Sequence, residues 1–192
     1  MEQHIGFALC GSFCTHEKAL AALAATRDRF GSVIPILSEA SAGTDTRFGT
    51  AAALRARVEE LCARPAIDSI TGAEPIGPKG LLDALVVCPC TGNTLGKLAA
   101  GIADGPVTMA VKSHLRNGRP VVLAVSTNDG LASSAKAIGS LLNKKNVYFV
   151  PFRQDDPAGK PTSLMADFAL VPAAVEAALE GRQLQPLLLG PA

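Results

Sequence analysis

A buried strand that runs straight into small polar residues offers a ligand two things at once. Its backbone N–H groups can be approached closely, and its short side chains can turn hydrogen bonds toward a phosphate or a flat polar ring. Residues 86–110, VVCPCTGNTLGKLAAGIADGPVTMA, have this character: an apolar strand meets Pro89 and then a loop carrying Cys90, Thr91, Gly92, Asn93 and Thr94. Four other strand ends invite comparison, CGSFCT at 10–15, SEAS at 38–41, VSTNDGL at 125–131 and PFRQDDP at 151–157. All but the last are rich in Gly, Ser, Thr or Asn. Gly11-Ser12 suits a phosphate but equally a bland strand-to-helix turn. No Gly-x-Gly-x-x-Gly and no Gly-Lys-Ser/Thr occurs, which disfavours a standard dinucleotide site or a nucleoside triphosphatase and leaves a mononucleotide as the better fit.

Other reactive types give weaker signals. Cys10, Cys14, Cys88 and Cys90 lie at two strand ends, but neither pair has the two-residue gap of a zinc hook, so they read as small hydrophobes or pocket wall and no metal is expected. Cys90 is the thiol placed to face a ligand. His4, His16 and His114 have no Ser or Cys partner at a recognisable spacing and read as surface or core histidines. Asp155-Asp156 reads as a solvated turn. Lys79 in PIGPKG, and Arg153 and Lys160 in PFRQDDPAGKPTS, could bring cations to an anionic ligand, although each alone reads as solvated loop.

The elements that must position these loops alternate in type. Apolar runs at 4–10, 33–38, 81–89, 120–126 and 147–152 predict strands. Between them, helical periods cover an alanine-rich segment capped by Thr15 and ended by Gly31, then 45–65 with Phe48, Ala52, Leu54, Val58 and Leu61 buried, then 94–105, 107–118, 131–146 and a closing helix interrupted near Pro172. TGAEPIGPKG at 71–80 reads as a surface loop. Strands alternating with crossover helices predict an α/β fold, a three-layer, doubly wound and mainly parallel sheet of about five to six strands of the Rossmann-like or flavodoxin-like kind. In such sheets ligands bind outside the carboxyl ends of the strands, where the winding reverses.

The 192 residues suffice for one well-buried domain, 1–192, and 48% apolar against 18% charged residues leaves an excess that subunit interfaces could bury. A net charge of +1 with no basic run beyond Lys144-Lys145 gives no footprint for nucleic acid or an anionic membrane. No apolar stretch is long enough to span a bilayer, and MEQHIGFALC lacks a signal-peptide pattern. Five cysteines, an odd number, read as reduced thiols of a cytoplasmic protein.

Taken together, GS at 11–12, PCTGNTLGKLAAGIADGPVTMA at 89–110 and PVVLAVSTNDGL at 120–131 resemble the flavoprotein superfamily that includes flavin-dependent cysteine decarboxylases and flavin prenyltransferases. The shared pattern covers roughly residues 4–131 and its second motif is specific. The resemblance implies an FMN site. Gly11 and Ser12 would approach the phosphate or ribityl chain, with Ser38 near the same group; Thr91, Asn93 and Thr94 would meet the flavin or phosphate, with Cys90 beside the ring. Asp104 would anchor the following helix, and Ser126, Thr127 and Asn128 would close the opposite side. The decarboxylase machinery is missing: the place of its catalytic His falls on Pro75, and Asp129, Gly130 and Leu131 stand where its clamping cysteine would follow Asn128.

A closer likeness includes SFCTHEKAL, PIGPKGLLDALVVCPCTGNTLGKLA, LNKKNVYFVPFRQDDP and KPTSLMADF, and runs almost the whole chain. These segments look like the flavoprotein-type subunits of the two-subunit synthases with which spore-forming bacteria oxidise a cyclic dicarboxylate to an aromatic one. This implies a small dicarboxylate substrate, a partner subunit that resembles a dehydrogenase and carries NAD(P), and self-association of this chain. Lys79, Lys97, Lys112, Arg153 and Lys160 become candidate carboxylate partners, while the catalytic residues stay unassigned.

Overall fold

The computed structural model describes residues 3–190. The first strand, β1 (Gln3–Leu9), leads through a 3₁₀ turn into α1 (His16–Phe30), and β2 (Gly31–Leu37) follows at once because Gly31 adopts φ 85° and turns the chain. Thr15 stands at the amino end of α1, but its hydroxyl donates back to the Ser12 carbonyl instead of capping the helix. Next come α2 (Glu39–Gly43), α3 (Ala51–Cys62) and α4 (Ile70–Ala73), then β3 (Ala84–Cys90), α5 (Gly92–Ala100) and α6 (Pro106–Leu115). The chain continues through β4 (Val121–Thr127), α7 (Ala135–Leu142), β5 (Val147–Phe149), β6 (Phe152–Arg153), β7 (Leu164–Ala166) and α8 (Val171–Leu179).

Crossover connections give the parallel pairings β2-β1, β1-β3, β3-β4 and β4-β5, so the parallel part runs 2-1-3-4-5. The expected doubly wound α/β architecture is present, as a mixed sheet of seven strands. The two strands beyond the parallel five come from the C-terminal region. Leu164 and Met165 pair antiparallel with the end of β4, and Phe152 and Arg153 pair with β7, so the start of the predicted closing helix is a hairpin instead. Pro172 occupies the first turn of α8, where its missing N–H costs nothing, and so opens that helix rather than interrupting one.

Both faces of the sheet are covered. Helices α1 and α8 pack on one side, and α5, α6 and α7 on the other, with α4 against α6. Strand β3 is buried at every position from Ala84 to Cys90, as befits a central parallel strand. Three further expectations give way to local chemistry. Helix α3 starts six residues later than the periodicity suggests because the Thr50 hydroxyl accepts from the Ala53 N–H, which leaves Phe48 outside the helix and exposed, and Ala52 within it is exposed too. Segment 71–80 is not a loose loop: Ile76 is fully buried, Ser113 donates to the Glu74 carbonyl at 2.7 Å, and the Gly77 N–H donates to Ser113 at 2.8 Å. Residues 150–151 leave the sheet, so the run 147–152 divides into β5 and β6. No described helix is long and apolar enough to cross a membrane.

Candidate functional site

From β1 the chain moves outward to β2 and then returns past β1 to β3, so the winding reverses between β1 and β3. A cleft of about 700 Å³ opens at that point on the carboxyl edge, lined by Cys10, Gly11, Ser38, Thr91, Asn93 and Thr94 together with Glu39, Lys97, Asp104 and Gly105. One place thus collects residues from three of the strand ends that sequence chemistry singles out.

Two helix starts converge on it. Ser38 caps α2 by accepting from the Ser41 N–H at 3.2 Å, and Thr91 caps α5 by accepting from the Thr94 N–H at 3.2 Å. The first main-chain bonds of these helices are Ala42 N–H to Ser38 and Leu95 N–H to Thr91. The N–H groups of Glu39, Ala40, Gly92 and Asn93 consequently have no partner among the described residues. Four backbone donors, the hydroxyls of Ser38 and Thr91 and the partial positive ends of two helices make an anion cradle. Gly11 keeps its floor open: a Cβ there would stand 3.1 Å from that of Ala40 and 3.5 Å from the Phe13 ring. These features fit the phosphate end of FMN.

The charged lining is arranged differently from the expectation. Asp104 does not anchor α6, whose cap is Gly105 with the Thr108 hydroxyl accepting from its N–H at 3.1 Å. Instead both Asp104 oxygens accept from Lys97 Nζ at 2.9 Å, and this contact holds the Asp104 carboxyl below its ordinary range. Lys97 is thereby neutralised. Glu39 lies across the cleft with no ion pair among the described residues, its carboxylate close against Gly105, where a Cβ would come within 2.6 Å of an oxygen.

Cys90 is also placed differently: it is fully buried and is not among the residues lining the cleft, and burial raises its thiol well above the usual range, as it does for Cys88. The thiol at the cleft is Cys10, pushed up to about 11 by burial and accepting from the Thr94 hydroxyl at 3.3 Å. All three are therefore neutral packing groups at neutral pH.

The β4 end forms a second polar cluster beside the cleft. Ser126 and Ser12 hydroxyls meet at 2.9 Å, bridging the ends of β4 and β1 across β3. Thr127 and Ser134 both donate to Asp129 Oδ1, at 2.5 and 2.8 Å, and these bonds lower the Asp129 carboxyl. A side chain at Gly92 would collide with all three groups, its Cβ falling 2.5 to 2.8 Å from their oxygens. Gly92 thus lets the cluster sit on the start of α5. The Asn128 side chain is exposed and its carbonyl accepts from Thr162 at 2.7 Å. Cys10 is the pocket wall that its sequence position suggests, whereas no role for Glu39, Asp129 or Ser134 is legible in the sequence; the signals that mark these three are the glycines that make room, Gly105 for Glu39 and Gly92 for the other two.

The candidate cations scatter. Only Lys97 lines the cleft. Lys79 precedes β3, at the opposite edge of the sheet. Lys112 borders a separate groove on α6, Arg153 pairs with Asp167 at 3.4 Å beside α1, and exposed Lys160 pairs with Asp155 at 3.7 Å.

Comparison with known proteins bears on this geometry. A flavoprotein family model matches residues 2–151. The dipicolinate synthase B subunit of Bacillus subtilis (strain 168) is 44% identical over 187 residues, 97% of this chain and 94% of the relative. The crystal structure of the dipicolinate synthase B subunit from Bacillus halodurans C superimposes with a TM-score of 0.88 at 40% identity, over 99% of this chain and 97% of the other. The FMN-dependent cysteine decarboxylase SpaF shares the fold, with a TM-score of 0.66 at 21% identity over 93% of this chain and 96% of its own.

Proposed function

This chain belongs to the flavoprotein family, and from that premise we propose that it is the B-type subunit of a dipicolinate synthase, a single FMN-holding domain that works with the dehydrogenase-like A-type subunit of the same synthase. The reaction is the two-electron oxidation of a cyclic dihydrodipicolinate-type precursor, a product of the diaminopimelate branch of lysine biosynthesis, to pyridine-2,6-dicarboxylate. The observation that carries the reading is the cradle between α2 and α5, set in a chain of near full-length likeness to the B-type synthase subunits.

Gly11, Ser38 and the N–H groups of Glu39, Ala40, Gly92 and Asn93 would hold the phosphate. Ser12 and Ser126, already joined, would flank the ribityl chain and ring, with Thr127 fixed in direction by Asp129. Bound there, FMN supplies a two-electron acceptor. The chain's own contribution is to bind and orient: hydroxyls and backbone N–H groups give direction, while the buried thiols below stay neutral. Among the described residues a single lysine lines the cleft, and it is paired with Asp104, so a catalytic centre completed by other chains fits the carboxylates of the substrate. The A-type partner, with NAD(P), is the first of these, and a second copy of this chain is another. The same reading makes it a cytoplasmic protein of the mother cell during sporulation.

The test follows pyridine-2,6-dicarboxylate by ultraviolet absorbance, from fresh cyclic precursor with the A-type partner and NAD(P), with and without this chain and FMN. Product that requires the chain supports the reading, and its FMN dependence shows whether the cradle is used. Product formed at the same rate by the A-type partner on its own refutes it, and carbon dioxide release from a cysteinyl peptide by the chain alone would make it a decarboxylase instead.

A further inference from the structure

On the face covered by α5, α6 and α7, a groove of about 810 Å³ lies toward the amino end of β4. Its floor and walls are apolar, formed by Leu98, Ile102, Val111, Leu115, Leu123 and Leu141 among others. Three cations, Lys112, Arg116 and Lys144, border it, and among the described residues no carboxylate does. Among those residues none of the three takes part in an ion pair, although half of the eighteen Lys and Arg residues do. Lys112 lies in the last turn of α6 and Arg116 is its C-cap, four residues on, so two like charges stand together at the helix end, and an anion between them would relieve their repulsion. Ile102, 47% exposed, continues the apolar surface at one end.

A groove of this kind asks for an apolar segment that carries carboxylates, and a second copy of this chain is poorly equipped to supply one. Its carboxylates are mostly committed: ten pair with cations, Asp129 holds two hydroxyls, and Asp45 and Asp156 accept from backbone N–H groups. Among the described residues this leaves Glu39, Glu60 and Glu74, on three different elements. We infer that the groove between α5, α6 and α7 is the docking surface for an acidic, apolar segment of the synthase partner, extending toward the amino end of β4 from Thr108, which it shares with the cofactor cleft. The inference rests on the synthase reading for the identity of that partner. Helices α5 and α6 border groove and cleft alike, through Leu98 and Val111 at the groove and Thr94 and Val107 at the cleft, and Thr108 lines both.

The experiment measures the affinity of this chain for the purified A-type partner at two salt concentrations, together with FMN binding and sedimentation of the chain alone. The expected result is that Lys112→Glu with Arg116→Glu weakens partner binding at least tenfold, that Lys144→Glu does so less, and that FMN binding stays unchanged as the sign of an intact fold. Lys18→Glu, on α1 and away from the groove, serves as control and keeps full affinity. Wild-type affinity in the Lys112/Arg116 double variant overturns the docking surface and leaves the synthase reading standing. A changed oligomeric state with intact partner binding assigns the groove to a second copy and overturns it likewise. Failure of the unaltered chain to bind the A-type partner overturns both.

Discussion

The two ends of the α5–α6 layer have opposite chemistry. At the carboxyl edge, hydroxyls cap the helices, four N–H groups stay open and the charged groups nearly cancel. Toward the amino edge the same layer presents leucines and valines ringed by cations without counter-ions among the described residues. The difference teaches which end is built for a small ligand and which for a surface. Directional donors specify a compact anion, whereas apolar area with diffuse charge tolerates many geometries and suits a protein partner.

The residue whose loss should damage both ends most is Leu95, fully buried on α5 between them. Leu95→Ala is expected to cost about 2–5 kcal/mol, read as a fall in denaturation midpoint with FMN and partner binding both weakened. If only one end suffered, the two would not share a common support.

Acid should separate the ends. His114 closes α6 near the groove, 1% exposed, and burial lowers its pKa from 6.5 to about 4, while its Nε2 donates to the Pro120 carbonyl at 3.2 Å. Because the folded value is below the unfolded one, the neutral ring is the form that folding favours. The associated stability is fully present above pH 6.5 and is lost as pH falls from there toward 4. At about 1.4 kcal/mol per unit, roughly 3 kcal/mol disappears across that window. Denaturant midpoints at pH 7, 5.5 and 4 for the wild type and His114→Gln measure it, with a flat response of the wild type contradicting the assignment. At the cleft end, the carboxyls of Asp104 and Asp129 are lowered, so their contribution is full above the ordinary carboxyl range and is lost only as pH falls below it toward their lowered values.

A cap should act at one end only. Thr91→Ala removes the acceptor for the Thr94 N–H and the hydroxyl partner of Thr94. We expect a loss of about 1 kcal/mol in stability, a drop in FMN affinity of about tenfold, equivalent to 1.4 kcal/mol, and no change in binding to the A-type partner. Equal damage to both affinities would deny the division of labour.

Much of this division can be traced to the sequence, and its gaps have physical causes. Apolar runs and the Gly-Ser-Thr-Asn strand ends are local signals, so the parallel core and the loops of the cleft could be read from them. Pairings of short strands are not local: Leu164–Ala166 reads as a helix start until the end of β4 offers it hydrogen bonds. Side-chain direction is likewise hidden. Cys90 reads as part of a candidate loop, but it is the last residue of a strand buried along its whole length, and Cys10, just past the end of β1, lines the cleft instead. The cations show the largest gap, because five charges spread over 82 residues of sequence carry no information about which share a surface.

The smallest effect tests how the cleft manages its own charge. Asp104 is exposed, so removing it should leave the fold almost untouched. Its role in the cleft is to hold Lys97, the lone cation there among the described residues, on both oxygens. Asp104→Asn frees that ammonium and shifts the lining by one positive charge, from two carboxylates and one lysine to one of each. FMN should then bind a few-fold more tightly at low salt, with the gain fading as ionic strength rises and the Debye length falls to about 8 Å near 0.15 M. Riboflavin, which lacks the phosphate, should gain nothing. Equal gains for both would mean that the phosphate lies away from Lys97, and would move the anion end of the site from the α2–α5 cradle toward the β4 cluster.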